Sequence, residues 1–249
     1  VPKFNKESNG YIIGFALMLT LIAGGVLTAL TLKLGPIQKK EIEFERKKFI
    51  LSTVFGADNM TAMANDSRTE VVDMYNSLVE GKVVNVNGDL VEGVEAGAVN
   101  IKKQYKTDLS ERQLPIYIVK DKDDESKVAA YVIPVYGYGL WDNIWGYVAL
   151  ENDLNTISGV VMDHKGETPG LGARITEVQV QERYQGKSLF DEAGNLVSVN
   201  MMKGESGDYS NNNHAVNGMS GATITGDGVN SMMKAYFESY QEYFNKIKN

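Results

Sequence analysis

The chain has 249 residues, with 25 Lys and Arg against 32 Asp and Glu, a net charge of -7, 43% hydrophobic residues and no Cys. That length holds one or two domains with a sizeable core, and the acidic balance argues against nucleic acid as a partner. Zero Cys excludes disulfides, thiol catalysis, thiolate-held iron–sulfur clusters and Cys-based zinc sites.

The charge is unevenly spread. Residues 1–48 carry eight basic and four acidic residues, a net +4, and the remainder carries 17 against 28, a net -11. Within the basic head, Tyr11 to Leu32 is a run of 22 residues without a charge. At about 1.5 Å per residue it makes a helix of roughly 33 Å, enough to cross a hydrocarbon core of about 30 Å. A cleaved signal peptide is the competing reading, but its apolar region is shorter and ends in a small-residue site that Leu27 and Ala29 match poorly. A retained span in a lipid bilayer is therefore expected. Two basic residues precede the run and six follow it, which by the positive-inside rule leaves the acidic body in the cytoplasm. The six are interleaved with Glu in KKEIEFERKK, a pattern that also fits the solvated face of a helix continuing toward Val54.

Beyond the head, residues 61–106 alternate short polar and apolar pieces, with Asn87-Gly88 as a hairpin-type turn between VVNV and DLVEGV. Ile116–Lys120, Val128–Val135, Ile144–Glu151 and Ile157–Asp163 are predicted strands, the last leading into the loop HKGETPGLG. Four strands this close together indicate an antiparallel sheet. Glu177–Tyr184 is a weak helix. From Gly226 to the C-terminus, Val229, Met232, Met233, Tyr236, Phe237, Tyr240, Tyr243, Phe244 and Ile247 recur at helical spacing, and that face must pack on the sheet. The fold class is α+β: a single N-terminal transmembrane helix, then an antiparallel-sheet domain with a long C-terminal helix. The expected division is 1–36 for the tail and span, 37–60 for a connecting helix and 61–249 for the sheet domain.

Few residues are placed for chemistry. His164 and His214 stand fifty positions apart with no ligand spacing around them, so no metal site is expected, and there is no G-x-S-x-G, P-loop or Rossmann glycine pattern. Two segments stand out. NGMSGATIT, Asn217 to Thr225, places three hydroxyls next to the start of the C-terminal helix, where backbone N–H groups and the helix dipole favour an anion. The same residues also suit an N-cap at Thr225 or Asp227. HKGETPGLG, His164 to Gly172, is by itself a Pro-Gly turn with Glu167 and Thr168 before it.

Taken together, SGAT and ETPGLG resemble an FMN-binding domain in which FMN is attached through a phosphoester to threonine. With GYGLWDNIWGYVAL, the single N-terminal span and the chain length, the sequence resembles the C subunits of sodium-translocating NADH:quinone reductases. The G subunits of Rnf-type complexes share both motifs and are usually shorter. The attachment pattern has Asp where this chain has Asn217. The resemblance implies covalent FMN on Thr223, surrounded by Ser220, Gly221, Ala222 and Thr225. It further implies flavin walls drawn from Leu140, Trp141, Trp145 and Leu171, although each tryptophan taken alone reads as core. Glu167 and Thr168 are implied as polar contacts, and Lys203 as a positive charge near the flavin's pyrimidine edge. The resemblance implies, too, that a flavin transferase supplies the cofactor, that no residue of this chain is catalytic and that NADH is oxidised on another subunit of the complex. The domain then lies on the periplasmic side of a bacterial inner membrane, against the positive-inside count. A non-redox, membrane-anchored binding or assembly protein, with SGAT as a mere cap, is the competing class.

Overall fold

The computed structural model describes residues 7–248; residues 1–6, which include two of the basic residues in the positive-inside count, and Asn249 lie outside the described residues. Helix α1 runs Asn9–Phe55. The chain divides into two compact units, the first ending at Glu45 and the second beginning at Arg46. In the first unit Leu21, Leu27 and Leu32 are strongly exposed, and α1 is long and apolar enough to cross a membrane. Pro36 lies inside the helix just past the apolar run. Having no N–H, it leaves one rung out of the ladder there.

The second unit opens with helices α2 (Ala57–Asp66) and α3 (Arg68–Leu78), where the sequence pattern suggests only short alternating pieces. Each buries too little to show a stripe: Met60 alone in α2, Val71 and Leu78 in α3. The overlooked signal is a cap, since the Ser67 hydroxyl accepts the Glu70 N–H at 3.3 Å at the start of α3 in the S-x-x-E pattern.

Five strands follow: β1 (Val79–Val84), β2 (Leu114–Lys120), β3 (Val128–Tyr138), β4 (Asn143–Leu150) and β5 (Ile157–His164), with the short helix α4 (Ile101–Tyr105) between β1 and β2. They form one antiparallel sheet in sequence order, β1-β2-β3-β4-β5. After β1 the chain turns at Asn87-Gly88, with Gly88 at φ 75° and a single bridge from Val84 to Leu90. The weak helix shrinks to α5 (Val178–Gln181) followed by a 3₁₀ turn, Glu182–Tyr184. Two-residue strands β6 (Asn200–Met201) and β7 (Ala215–Val216) pair in parallel. The last element is α6, Thr223–Lys248, which starts three residues before the predicted Gly226.

Side-chain alternation gives the sheet two buried faces. Ile116, Ile133, Val135, Ile144, Val148 and Val160 form one core with Val229, Met233, Tyr236, Phe237 and Tyr240 of α6. Each such fully buried side chain contributes about 1.5–3 kcal/mol. On the opposite face Tyr117, Val119, Ala130, Val132 and Ala149 pack with Ile50 from the end of α1, and Phe55 and Tyr75 rest against them. A Cβ at Gly159 of β5 would stand 2.0 Å from the Thr53 carbonyl oxygen, so only glycine lets the last turn of α1 lie this close to the edge strand. Gly159→Ala is expected to lower the unfolding free energy by about 1–3 kcal/mol, the cost of overpacking. Thermal melts of the detergent-purified chain check this, and an unchanged midpoint would refute the close approach.

Candidate functional site

The loop after β5, the β3–β4 turn and the first turn of α6 meet at one carboxylate. Glu167 is only 4% exposed. Its Oε2 accepts the Thr225 hydroxyl at 2.6 Å, and its Oε1 accepts the Trp141 N–H at 2.9 Å and the Asp142 N–H at 3.4 Å. Burial pushes the Glu167 carboxyl up, but the Thr225 hydroxyl and the N–H groups of Trp141, Asp142 and Leu140 outweigh it, and the group is held below the usual range. Two glycines make room. A Cβ at Gly172 would lie 2.4 Å from both Glu167 Oε2 and Thr225 Oγ1, and one at Gly139 would lie 2.6 Å from Glu167 Oε1.

Thr225 is thus no cap. It is 1% exposed, inside the first turn of α6, with its hydroxyl committed to Glu167. Thr223, by contrast, is the first helical residue and is exposed. The first of the ladder's hydrogen bonds runs from the Gly226 N–H to the Ala222 carbonyl, so the N–H groups of Thr223, Ile224 and Thr225 precede the ladder at the positive end of the helix. Ala222 is buried, and Gly221 sits at φ 74° with Leu171 against it. Ser220 is exposed, and its N–H donates to Glu205 Oε1 at 2.8 Å.

Glu205, which the sequence alone does not flag, also receives the Arg174 guanidinium. The Ser220 N–H first and then Arg174 hold its carboxyl below the ordinary range. Asn217 is a second bracket. Its Oδ1 accepts the Gly207 N–H and its Nδ2 donates to the Gly207 carbonyl, both at 2.8 Å, while Arg183 donates to the carbonyls of Asn217 and Gly218. A Cβ at Gly218 would lie 1.8 Å from the Met202 carbonyl, which makes this glycine obligatory.

The expected flavin walls separate into two groups. Leu140 (45% exposed), Trp141 (68%) and Leu171 (40%) form a solvent-facing apolar surface around the Glu167 loop, with the Trp141 indole N–H on Thr168 Oγ1 at 3.1 Å. Trp145 is not gathered there. It pairs across strands with Tyr136 and Asp163 and, half-buried, packs against the main core. Lys203 is exposed, beside Gly204 at φ 81° in the turn that carries Glu205.

The family model of the FMN-binding domain matches residues 139–238, a stretch that takes in the β3–β4 turn, the Glu167 loop and the start of α6. The Na(+)-translocating NADH-quinone reductase C subunit of Haemophilus ducreyi is 31% identical, the match covering 100% of this chain and 98% of that one. Its counterpart from Neisseria meningitidis serogroup A is 30% identical, with 99% and 97% covered. The crystal structure of the corresponding C subunit from Parabacteroides distasonis superposes with a TM-score of 0.69 at 31% identity, over 85% of this chain and 96% of that one. That of Shewanella oneidensis NqrC gives 0.68 at 30% identity, over 83% and 97%. The chain belongs to the family of Na(+)-translocating NADH-quinone reductase C subunits.

The Gly207 bracket needs both a donor and an acceptor, and a carboxylate supplies only the acceptor. Asn217→Asp is therefore expected to cost about 1 kcal/mol or more of stability. Thermal denaturation of the purified chain measures it; a gain in stability would contradict the bracket.

Proposed function

We propose that this chain carries FMN as a phosphoester on Thr223 and relays electrons within a membrane-bound Na(+)-translocating NADH:quinone reductase. The observation that supports the attachment most directly is the contrast between two threonines two positions apart in the first turn of α6. Thr223 offers an exposed hydroxyl beside N–H groups outside the helical ladder, and Thr225 has its hydroxyl buried on a carboxylate. The attaching enzyme is a flavin transferase: the Thr223 oxygen bonds to the phosphorus on the FMN side of FAD, the pyrophosphate bond breaks, AMP leaves, and the hydroxyl proton passes to the transferase. Once bound, the flavin supplies reversible electron uptake. The chain's own part is to fix the phosphate end at the start of α6 and to offer Leu140, Trp141 and Leu171 as apolar walls. Glu167 and Thr168 hold those walls in place.

Thr223→Ala is expected to abolish covalent flavin while changing stability by less than about 0.5 kcal/mol, since only an exposed hydroxyl is lost. In-gel flavin fluorescence after denaturation, with intact-mass measurement, decides it. A flavin band at wild-type intensity would overturn the assignment.

α1 is proposed as a single-pass anchor in a bacterial inner membrane, with the domain on the periplasmic side, next to the other subunits of the complex. The support is the family relationship, set against a positive-inside count diluted by Glu41, Glu43 and Glu45. A C-terminal alkaline phosphatase fusion is expected to be active and a cytoplasmic reporter silent. The reverse pattern would refute the orientation.

A further inference from the structure

We infer that Glu167 places a fixed negative charge beneath the flavin and thereby holds its midpoint potential lower than a neutral residue at this position would. The inference rests on the attachment proposed above and adds a determinant of its potential.

Three carboxylates of the site differ in how they are compensated. Asp142 faces Lys165 at 2.9 Å, and Glu205 is paired with Arg174. Glu167 is the buried one, and the groups that keep it ionised are a hydroxyl and backbone N–H groups, with no cation among them. Such donors stabilise the charge without cancelling it, and the helix end adds only a partial positive charge. In a buried setting the remaining field is weakly screened.

Position follows from the same hydrogen bonds. The backbone that donates to Glu167 is that of Leu140, Trp141 and Asp142, and the side chains of Leu140 and Trp141 on that same backbone are exposed. Leu171, four residues along the Glu167 loop, is also exposed and lies against Gly221 of the attachment turn. A ring tethered at Thr223 would start beside Leu171, on the loop that also carries the carboxylate. Both carboxylate oxygens already accept bonds from the chain, so Glu167 acts through space and is a positioning and electrostatic residue. Two electrons and one proton taken up by the ring leave it with an added negative charge, which a fixed anion below disfavours. Lys203 has the opposite sign but sits on an exposed turn where solvent screens it.

The test uses the full chain, flavinylated by co-expression with a transferase and titrated with dithionite and mediator dyes in a spectroelectrochemical cell. Glu167→Gln is expected to move the midpoint potential to a more positive value. Glu167→Asp keeps the charge and is expected to stay near wild type, an outcome that a purely structural role does not give. In the Gln chain the Thr225 hydroxyl loses the anion it donates to. Glu167→Gln with Thr225→Val removes that donor as well and takes the place of the single variant if the latter does not fold. A charge-neutral chain that carries covalent flavin at the wild-type potential, or a positive shift equally large in the Asp chain, would overturn the inference. A wild-type chain without covalent flavin would overturn the proposed attachment, and this inference with it.

Discussion

A buried carboxylate with no cation partner among the described residues governs how this domain is put together. Taking an ion out of water costs several kcal/mol unless donors replace the lost hydration. At Glu167 those donors come from the β3–β4 turn and from the first turn of α6, which are far apart in sequence. The carboxylate thus ties the three segments together. Gly139 and Gly172 belong to the same requirement, because the donors reach the oxygens only where no Cβ intervenes.

That arrangement divides the start of α6 into an inner and an outer side. The inner side meets Glu167 through Thr225, and the outer side presents Thr223 to solvent. The turn leading into the helix is held independently by the Ser220 bond to Glu205 and by the amide pairing of Asn217 with Gly207. The hydroxyl at the end of the motif is thus exposed while everything behind it is fixed. The apolar side chains left outside, Leu140, Trp141 and Leu171, are exposed because the backbone around them, not their side chains, belongs to the buried network.

Much of this was legible in the sequence where burial imposes a period. β2 to β5 fall within three residues of the apolar runs that predict them, and the α6 stripe from Val229 to Phe244 is buried throughout at its apolar positions. Helices α2 and α3 were not legible from periodicity, because they bury one and two side chains and only the Ser67–Glu70 cap marks them. At the site, two motifs indicated which loops belong together, but not which oxygen bonds which donor. Thr223 and Thr225 look alike in a one-dimensional string. Only burial separates them. Glu205, Arg174 and Arg183 sit in polar stretches without a pattern, and their roles depend on a loop path that spacing does not encode. Trp145 belongs to β4 and packs against the main core, and its closeness to Trp141 in the string conceals that the two part company.

The order of the elements has a bearing on biosynthesis. The 26 residues of α6 follow every strand of the sheet, supply one wall of the main core, and include in Thr225 the donor to Glu167. A ribosome working from the N-terminus releases the apolar run of α1 first and this helix after the whole sheet, so the strands spend their synthesis with one apolar face uncovered. Strands paired in sequence order limit the risk, since each hairpin can close as it emerges, but the domain cannot complete its core until α6 has left the ribosome. A chain that stops before α6 therefore exposes β3 and β4, which makes unfinished products recognisable to the cell's proteases as unfolded.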